Sequence, residues 1–117
     1  MRILLATEKD TLDSKISKRF GEAPYYLIYN SETSELEARA NDGHDDDHSG
    51  LIDLANEGVL YYIVGNTGPF AFNVLNERNA KLFLARGFIA KDALDAFLNN
   101  KLESLKKPTL KRPIHTH

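Results

Sequence analysis

The stretch VLYYIVGNTGP at residues 59–69 predicts a strand, a tight loop and the start of a helix. Its first six residues form the continuous apolar run that is typical of a strand buried on both faces. Two glycines then allow the backbone to turn sharply, and Pro69 stands at the first position of the helix that follows. A strand–loop–helix unit of this kind predicts a parallel sheet with helices packed on its faces.

The segments on either side of this unit complete the order βββαβαβα. Strands are predicted at residues 2–6, 24–29, 35–40, 59–64 and 81–85. Helices are predicted from a Ser49 cap to Gly58, from Pro69 to about Asn79, and from about Ala90 to Pro108. We therefore predict one three-layer α/β domain with a mixed five-stranded sheet at residues 1–107, followed by a basic, flexible tail at residues 108–117.

Composition excludes several classes of protein. With 42% hydrophobic and 27% charged residues, the chain is an ordinary globular protein and not a disordered one. The absence of cysteine excludes disulfide scaffolds, thiolate zinc sites, thiol nucleophiles and iron–sulfur ligation by protein thiolates. No apolar run reaches the roughly 18 residues of a membrane span, and MRILLAT turns polar too early for a signal peptide. We expect a cytoplasmic protein with no membrane partner.

The net charge of −2 is unevenly distributed: residues 1–57 carry −7 and residues 58–117 carry +5. Most of the positive excess lies between Lys101 and Arg112. Such a segment can contact nucleic acid or an acidic partner, but a solvated terminus is the simpler explanation. We therefore expect no nucleic-acid partner.

The loop GNTGP at residues 65–69 is the strongest candidate site. It follows a buried strand, and ligands of open α/β sheets bind at the carboxyl ends of strands. The helix that starts at Pro69 directs free amides and the positive end of its dipole towards this point, which suits an anion. Neither nucleotide-binding glycine motif is present. The alternative is a tight strand–helix connection that binds nothing.

The segment DGHDDDH at residues 42–48 is a second candidate, for metal binding. His44 and His48 are four residues apart among carboxylates, but the spacing matches no established metal motif and is too short for an EF-hand. His48 is the better candidate ligand because it lies directly before a predicted helix. Metal affinity should fall below about pH 6.5, where imidazole becomes protonated. The alternative is a solvated acidic loop.

A third candidate, SKISKRFGEA at residues 14–23, precedes the second strand. Lys18 and Arg19 can reach an anionic ligand or can be ordinary surface charges. No serine stands on a G-x-S-x-G elbow, and the acids do not pair visibly on strands, so no catalytic arrangement is apparent.

Two longer stretches, DSKISKRFGEAPYYLIYN at residues 13–30 and YYIVGNTGPFAFNVLNERNAKLFLARG at residues 61–87, carry a resemblance. Together with a histidine-containing loop between them, they resemble the dinitrogenase iron–molybdenum cofactor biosynthesis family over about residues 1–100. The resemblance implies a ribonuclease-H-like fold and non-enzymatic binding of an iron–sulfur or iron–molybdenum cluster or its precursor. The cofactor-binding residues that it implies are Ser17, Lys18, Arg19, Phe20, Gly21, Gly65, Asn66, Thr67, Gly68 and Pro69. It also implies His48 as a metal ligand, whereas His44 is a candidate metal ligand from its place in the acidic loop alone.

We therefore expect a small carrier protein, with a cluster-donor or cluster-acceptor protein as its partner. Two alternatives remain: a metal-dependent phosphoryl-transfer or hydrolytic enzyme, and an interaction module without a small ligand. Carboxylates converging within about 4–5 Å across neighbouring strands would favour the enzyme, and a closed apolar crevice would favour the module. We expect the ligand crevice between the Ser17–Gly21 turn and the Gly65–Pro69 loop, with His48 on its rim.

Overall fold

The structure is a computed structural model that describes residues 1–41 and 49–110. The strands are β1 (Arg2–Thr7), β2 (Tyr25–Asn30), β3 (Glu35–Ala40), β4 (Val59–Val64) and β5 (Lys81–Leu84). The α-helices are α1 (Ser49–Asn56), α2 (Pro69–Asn76) and α3 (Ala90–Leu98). One 3-10 turn, Phe20–Glu22, precedes β2 and was not predicted. The predicted order of strands and helices is confirmed.

The five strands form one mixed sheet in the order β3-β2-β1-β4-β5. The strands β1, β4 and β5 are parallel, whereas β2 runs antiparallel to both β1 and β3. The carboxyl ends of β1, β4 and β5 therefore lie at one edge, where Thr7 pairs with Tyr25 at the start of β2. We call this the carboxyl edge, and it is marked by Thr7, Val64 and Leu84.

Helices cover both faces of the sheet, as the three-layer prediction requires. On one face, α1 and α2 contribute apolar side chains such as Leu54 and Leu75 to a core that includes Leu4 and Tyr62 from the strands. On the other, Ala93 and Leu94 of α3 pack on strand residues such as Leu5 and Ile63. The ribonuclease-H-like label itself stays a prediction.

The last helix ends earlier than its apolar spacing predicts. α3 stops at Leu98, whereas the sequence analysis extended it to Pro108. Asn100 adopts a left-handed conformation with φ 58°, and the Lys101 N–H donates to the Ala96 carbonyl. This is a Schellman-type ending, in which asparagine replaces the usual glycine.

Among the helices of the described segments, none is long and apolar enough to cross a bilayer.

Residues 101–110, which we call the C-terminal strap, return along the outer side of β5. The Leu105 N–H donates to the Leu82 carbonyl at 2.7 Å, and Ser104 forms an antiparallel bridge with Phe83. Leu105 packs against the core of the α1 and α2 face. Leu105 stands at helical spacing in the sequence, but in the structure it belongs to an extended segment that packs against the core.

Candidate functional site

The Ser17–Gly21 turn and the Gly65–Pro69 loop meet at the carboxyl edge. The Asn66 N–H donates to the Lys18 carbonyl at 2.7 Å, and the Phe20 N–H donates to the Asn66 carbonyl at 2.9 Å. The Ser17 N–H donates to the Ala6 carbonyl near the end of β1. Because Asn66 and Arg19 pair as parallel strands do, the turn continues the sheet beyond the end of β4.

Gly65 is required by this pairing. A Cβ atom at Gly65 would overlap the Ser17 carbonyl oxygen and would lie 2.8 Å from the Lys18 carbonyl oxygen. The glycine therefore permits a close approach between two parts of the chain itself. No ligand is needed to explain it.

The expected crevice between turn and loop stays a prediction. The hydrogen bonds of Lys18 and Phe20 with Asn66 join the two segments at that point, where they form one continuous surface. The position of both segments at the same edge agrees with the expectation.

The predicted binding residues divide into buried and accessible ones. Ser17, Phe20, Gly65 and Thr67 are buried, whereas Lys18, Arg19 and Gly21 are exposed and Asn66, Gly68 and Pro69 are half-buried. The buried hydroxyls have local partners, since Ser17 Oγ donates to the Arg19 carbonyl and Thr67 Oγ1 to the Gly65 carbonyl. The buried residues therefore shape the surface, and the accessible ones are available to a ligand.

The ring of Phe20 anchors the turn in the core. It is fully buried, and its centroid lies 5.9 Å from that of Tyr26 and 6.1 Å from that of Tyr62. Tilted aromatic pairs at such distances are favourable beyond the area that they bury. The structure shows a packing role for Phe20 beneath the surface, and cofactor binding by Phe20 stays a prediction.

Tyr62 carries a polar atom with no visible partner. Its ring is fully buried, and among the described residues its hydroxyl has no hydrogen-bond partner. Burial is the main cause that raises the pKa of Tyr62 well above its usual value. Because this hydroxyl is buried without a partner among the described residues, we expect it to reduce stability.

We expect Tyr62→Phe to stabilise the protein by about 1 kcal/mol, because an unpaired buried hydroxyl loses its hydration without compensation. Urea unfolding at pH 7 measures the change. The control is Tyr29→Phe, whose hydroxyl donates weakly to Ser34 Oγ at a half-buried position and should change stability by less than about 0.5 kcal/mol. A loss of stability in Tyr62→Phe would show that the hydroxyl has a partner, such as a buried water.

Arg86 lies on the same surface, and the sequence analysis did not name it as a candidate. It follows β5 at the carboxyl edge, is exposed, and donates from Nη1 to Asn66 Oδ1 at 3.3 Å. With Lys18 and Arg19 it gives the surface three cationic side chains, of which Arg19 forms a salt bridge with Glu22. Its place directly after a parallel strand was the signal that could have identified it.

The amino end of α2 adds amides to this surface. Gly68 is the N-cap and offers no side chain, and Pro69 occupies the first turn. Within residues 1–41 and 49–110, neither the Gly68 N–H nor the Ala71 N–H has a hydrogen-bond partner. Unpaired amides at a helix amino end favour an anion.

The predicted metal ligands His44 and His48 lie outside the described residues, as do His115 and His117. These are the four histidines of the chain. In the part of the chain that the structure describes, no group of three or more His, Cys, Asp or Glu side chains is arranged to hold a metal ion.

A pocket of about 310 Å³ lies at the opposite edge of the sheet, near the start of β4 and β5. None of the predicted site residues lines it. Its lining residues are Met1, Tyr61, Lys81, Phe83, Phe97, Leu98, Asn100 and Leu102.

Comparison with known families identifies the chain's relatives. The profile of the family described as "Dinitrogenase iron-molybdenum cofactor" matches residues 1–100. The chain belongs to this family. The matched region includes the Ser17–Gly21 turn, the Gly65–Pro69 loop and Arg86, whereas the C-terminal strap begins where the match ends. A comparison with curated proteins gives no match.

Solved structures support membership of the iron–molybdenum cofactor family. The apo form of the orange protein from Desulfovibrio gigas is 25% identical with a TM-score of 0.82, over 93% of this chain and 96% of that one. A NifB-like protein from Thermotoga, placed in the DUF35 family, is 31% identical with a TM-score of 0.82, over 94% and 97% of the two chains. A dinitrogenase-like protein from Methanocaldococcus jannaschii shares the fold at 20% identity, with a TM-score of 0.71 over 92% and 97%.

Proposed function

We propose that this protein is a small, non-catalytic carrier of an anionic iron–sulfur or iron–molybdenum cluster, or of a precursor of one. The observation that carries the proposal is the joining of a cationic turn to a glycine loop at one edge of the sheet. The cargo lies on the surface made by Lys18, Arg86 and the Gly68 and Ala71 amides at the amino end of α2. Membership of the iron–molybdenum cofactor family supports this choice of cargo.

The donor set determines how the cargo is held. The described residues contain neither cysteine nor histidine, and Met1 lies at the pocket on the opposite edge, so this surface offers charge and hydrogen bonds but no soft metal ligand. This set suits a preformed cluster that already carries its own sulfide ligands, because sulfide accepts hydrogen bonds and the cluster carries negative charge. Ligation by His48 or His44 is a separate part of the proposal, and it would supplement these contacts.

Anaerobic reconstitution tests the proposal. The full chain is incubated with ferrous iron and sulfide, or with tetrathiomolybdate alone, and is desalted before metal analysis and absorption spectroscopy. The expected result is about one cluster, or one tetrathiomolybdate, retained per chain with altered absorption bands. If desalting removed all the metal from the protein, both after iron and sulfide and after tetrathiomolybdate, the proposal would be overturned.

Arg86→Gln should weaken tetrathiomolybdate binding about tenfold, which corresponds to roughly 1.4 kcal/mol. The guanidinium is accessible beside Asn66, and glutamine keeps hydrogen-bonding capacity while removing the charge. The matched control is Arg78→Gln, since Arg78 follows the carboxyl end of α2 and donates to the Val74 carbonyl. Anaerobic titration followed by absorption measures both. Equal weakening by the two variants would show that net charge, and not this surface, determines affinity.

The proposal extends to the cellular setting. A carrier without turnover must receive and release its cargo, so we propose a cluster-donor or cluster-acceptor protein as partner and a cytoplasmic location. Co-purification under anaerobic conditions, with and without the bound cluster, would identify such a partner.

A further inference from the structure

The C-terminal strap ends on the Gly65–Pro69 loop. Thr109 Oγ1 accepts a hydrogen bond from the Thr67 N–H at 2.8 Å, and the N–H groups of Thr109 and Leu110 donate to the Thr67 carbonyl at 3.0 and 3.1 Å. Thr67 is fully buried. A residue 42 positions later in the chain thus satisfies both backbone groups at the centre of the loop.

These bonds fix the residue directly before the N-cap of α2. Gly68 is the N-cap, so the first bond of the helix runs from the Phe72 N–H to the Gly68 carbonyl. The Ala71 N–H lies in the first turn, where amides have no partner within the helix. The strap therefore holds the residue from which the loop leads into α2.

We infer that Thr109 is a positioning residue, which holds the Gly65–Pro69 loop in the conformation that presents the Gly68 and Ala71 amides to an anion. The consequence for binding rests on the proposed function, whereas the positioning of the loop does not. The family profile ends at residue 100, so this contact lies beyond the region by which the family is recognised.

The hydroxyl can be removed without detaching the strap. Leu105 packs against the core, and its N–H donates to the Leu82 carbonyl. The N–H groups of Thr109 and Leu110 also remain available to the Thr67 carbonyl after substitution of the side chain. Thr109→Val, which keeps the shape of threonine, therefore removes the acceptor of the Thr67 N–H together with the longer bond, 3.5 Å, that the hydroxyl donates to the Thr67 carbonyl.

Amide hydrogen exchange of the metal-free full chain tests the positioning. In Thr109→Val, the Thr67 N–H should exchange at least tenfold faster than in the wild type, and Thr109→Ser should restore slow exchange. The matched control is Thr33→Val in the β2–β3 turn, where Thr33 Oγ1 accepts from the Glu35 N–H at 3.3 Å. It should leave Thr67 unchanged. Unaltered Thr67 exchange in Thr109→Val would overturn the inference.

Titration with tetrathiomolybdate tests the consequence in the same variants. Thr109→Val should bind at least threefold more weakly than the wild type, Thr109→Ser should bind normally, and thermal unfolding should confirm that both are folded. Faster exchange with unchanged binding would refute a role for the strap in the site. Failure of the wild type to bind would refute the proposed function, while the exchange result would still decide whether Thr109 positions the loop.

Discussion

Gly65→Ala should be among the most destabilising single substitutions in the protein, with a loss of about 4 kcal/mol in the free energy of unfolding. The added methyl group meets the carbonyl oxygens of Ser17 and Lys18, which are backbone atoms that cannot rotate away. Overpacking of this kind costs about 1–3 kcal/mol, and separating the turn from the loop removes hydrogen bonds worth about 1 kcal/mol each. Chemical denaturation measures the loss, and tetrathiomolybdate binding should disappear with it.

Gly87→Ala is the matched control. Gly87 has φ 80°, but an added Cβ would meet no atom within 4 Å. Its cost is therefore only the left-handed backbone, about 1 kcal/mol. If Gly65→Ala lowered the free energy of unfolding no more than Gly87→Ala, the close contact of Gly65 with the Ser17 and Lys18 carbonyl groups would be contradicted.

Phe20→Ala should cost about 3–5 kcal/mol, because it removes a fully buried ring and leaves a cavity between Tyr26 and Tyr62. The turn should also loosen, with faster amide exchange at Phe20 and Asn66, whose N–H groups pair the turn with the loop. Urea unfolding and hydrogen exchange measure the two effects.

Phe20→Leu separates packing from contact with cargo. Leucine fills most of the space, so the loss of stability should fall to less than half of the alanine value, and tetrathiomolybdate binding should be nearly unchanged. Strong loss of binding in a stable Phe20→Leu variant would support the prediction that this residue contacts the ligand.

The strands were predictable because each one is a short apolar or alternating segment bounded by turn residues. The entry to α2 was equally visible, since Gly68 and Pro69 mark it in the sequence. The end of α3 was not, because Leu102 and Leu105 keep helical spacing after the helix has stopped. The two asparagines before Lys101 were the available signal, and only the packing of the strap on β5 shows why the apolar pattern continues.

The candidate site was predictable in part. The carboxyl end of β4 identified the glycine loop, and family resemblance added the Ser17–Gly21 turn. The pairing of Lys18 with Asn66 and of Thr109 with Thr67 could not be predicted, because each joins residues more than 40 positions apart. Burial was also invisible in the sequence, so Phe20 and Thr67 were grouped with the accessible residues.

Backbone amide shifts of the isotopically labelled full chain, titrated anaerobically with tetrathiomolybdate, test the central claim most directly. We predict saturable shifts at Lys18, Gly21, Gly68 and Ala71, together with the Arg86 side chain. The amides of Lys81 and Asn100, at the pocket on the opposite edge, should not move. Shifts centred on that pocket, or no saturable shift at the carboxyl edge, would contradict the account.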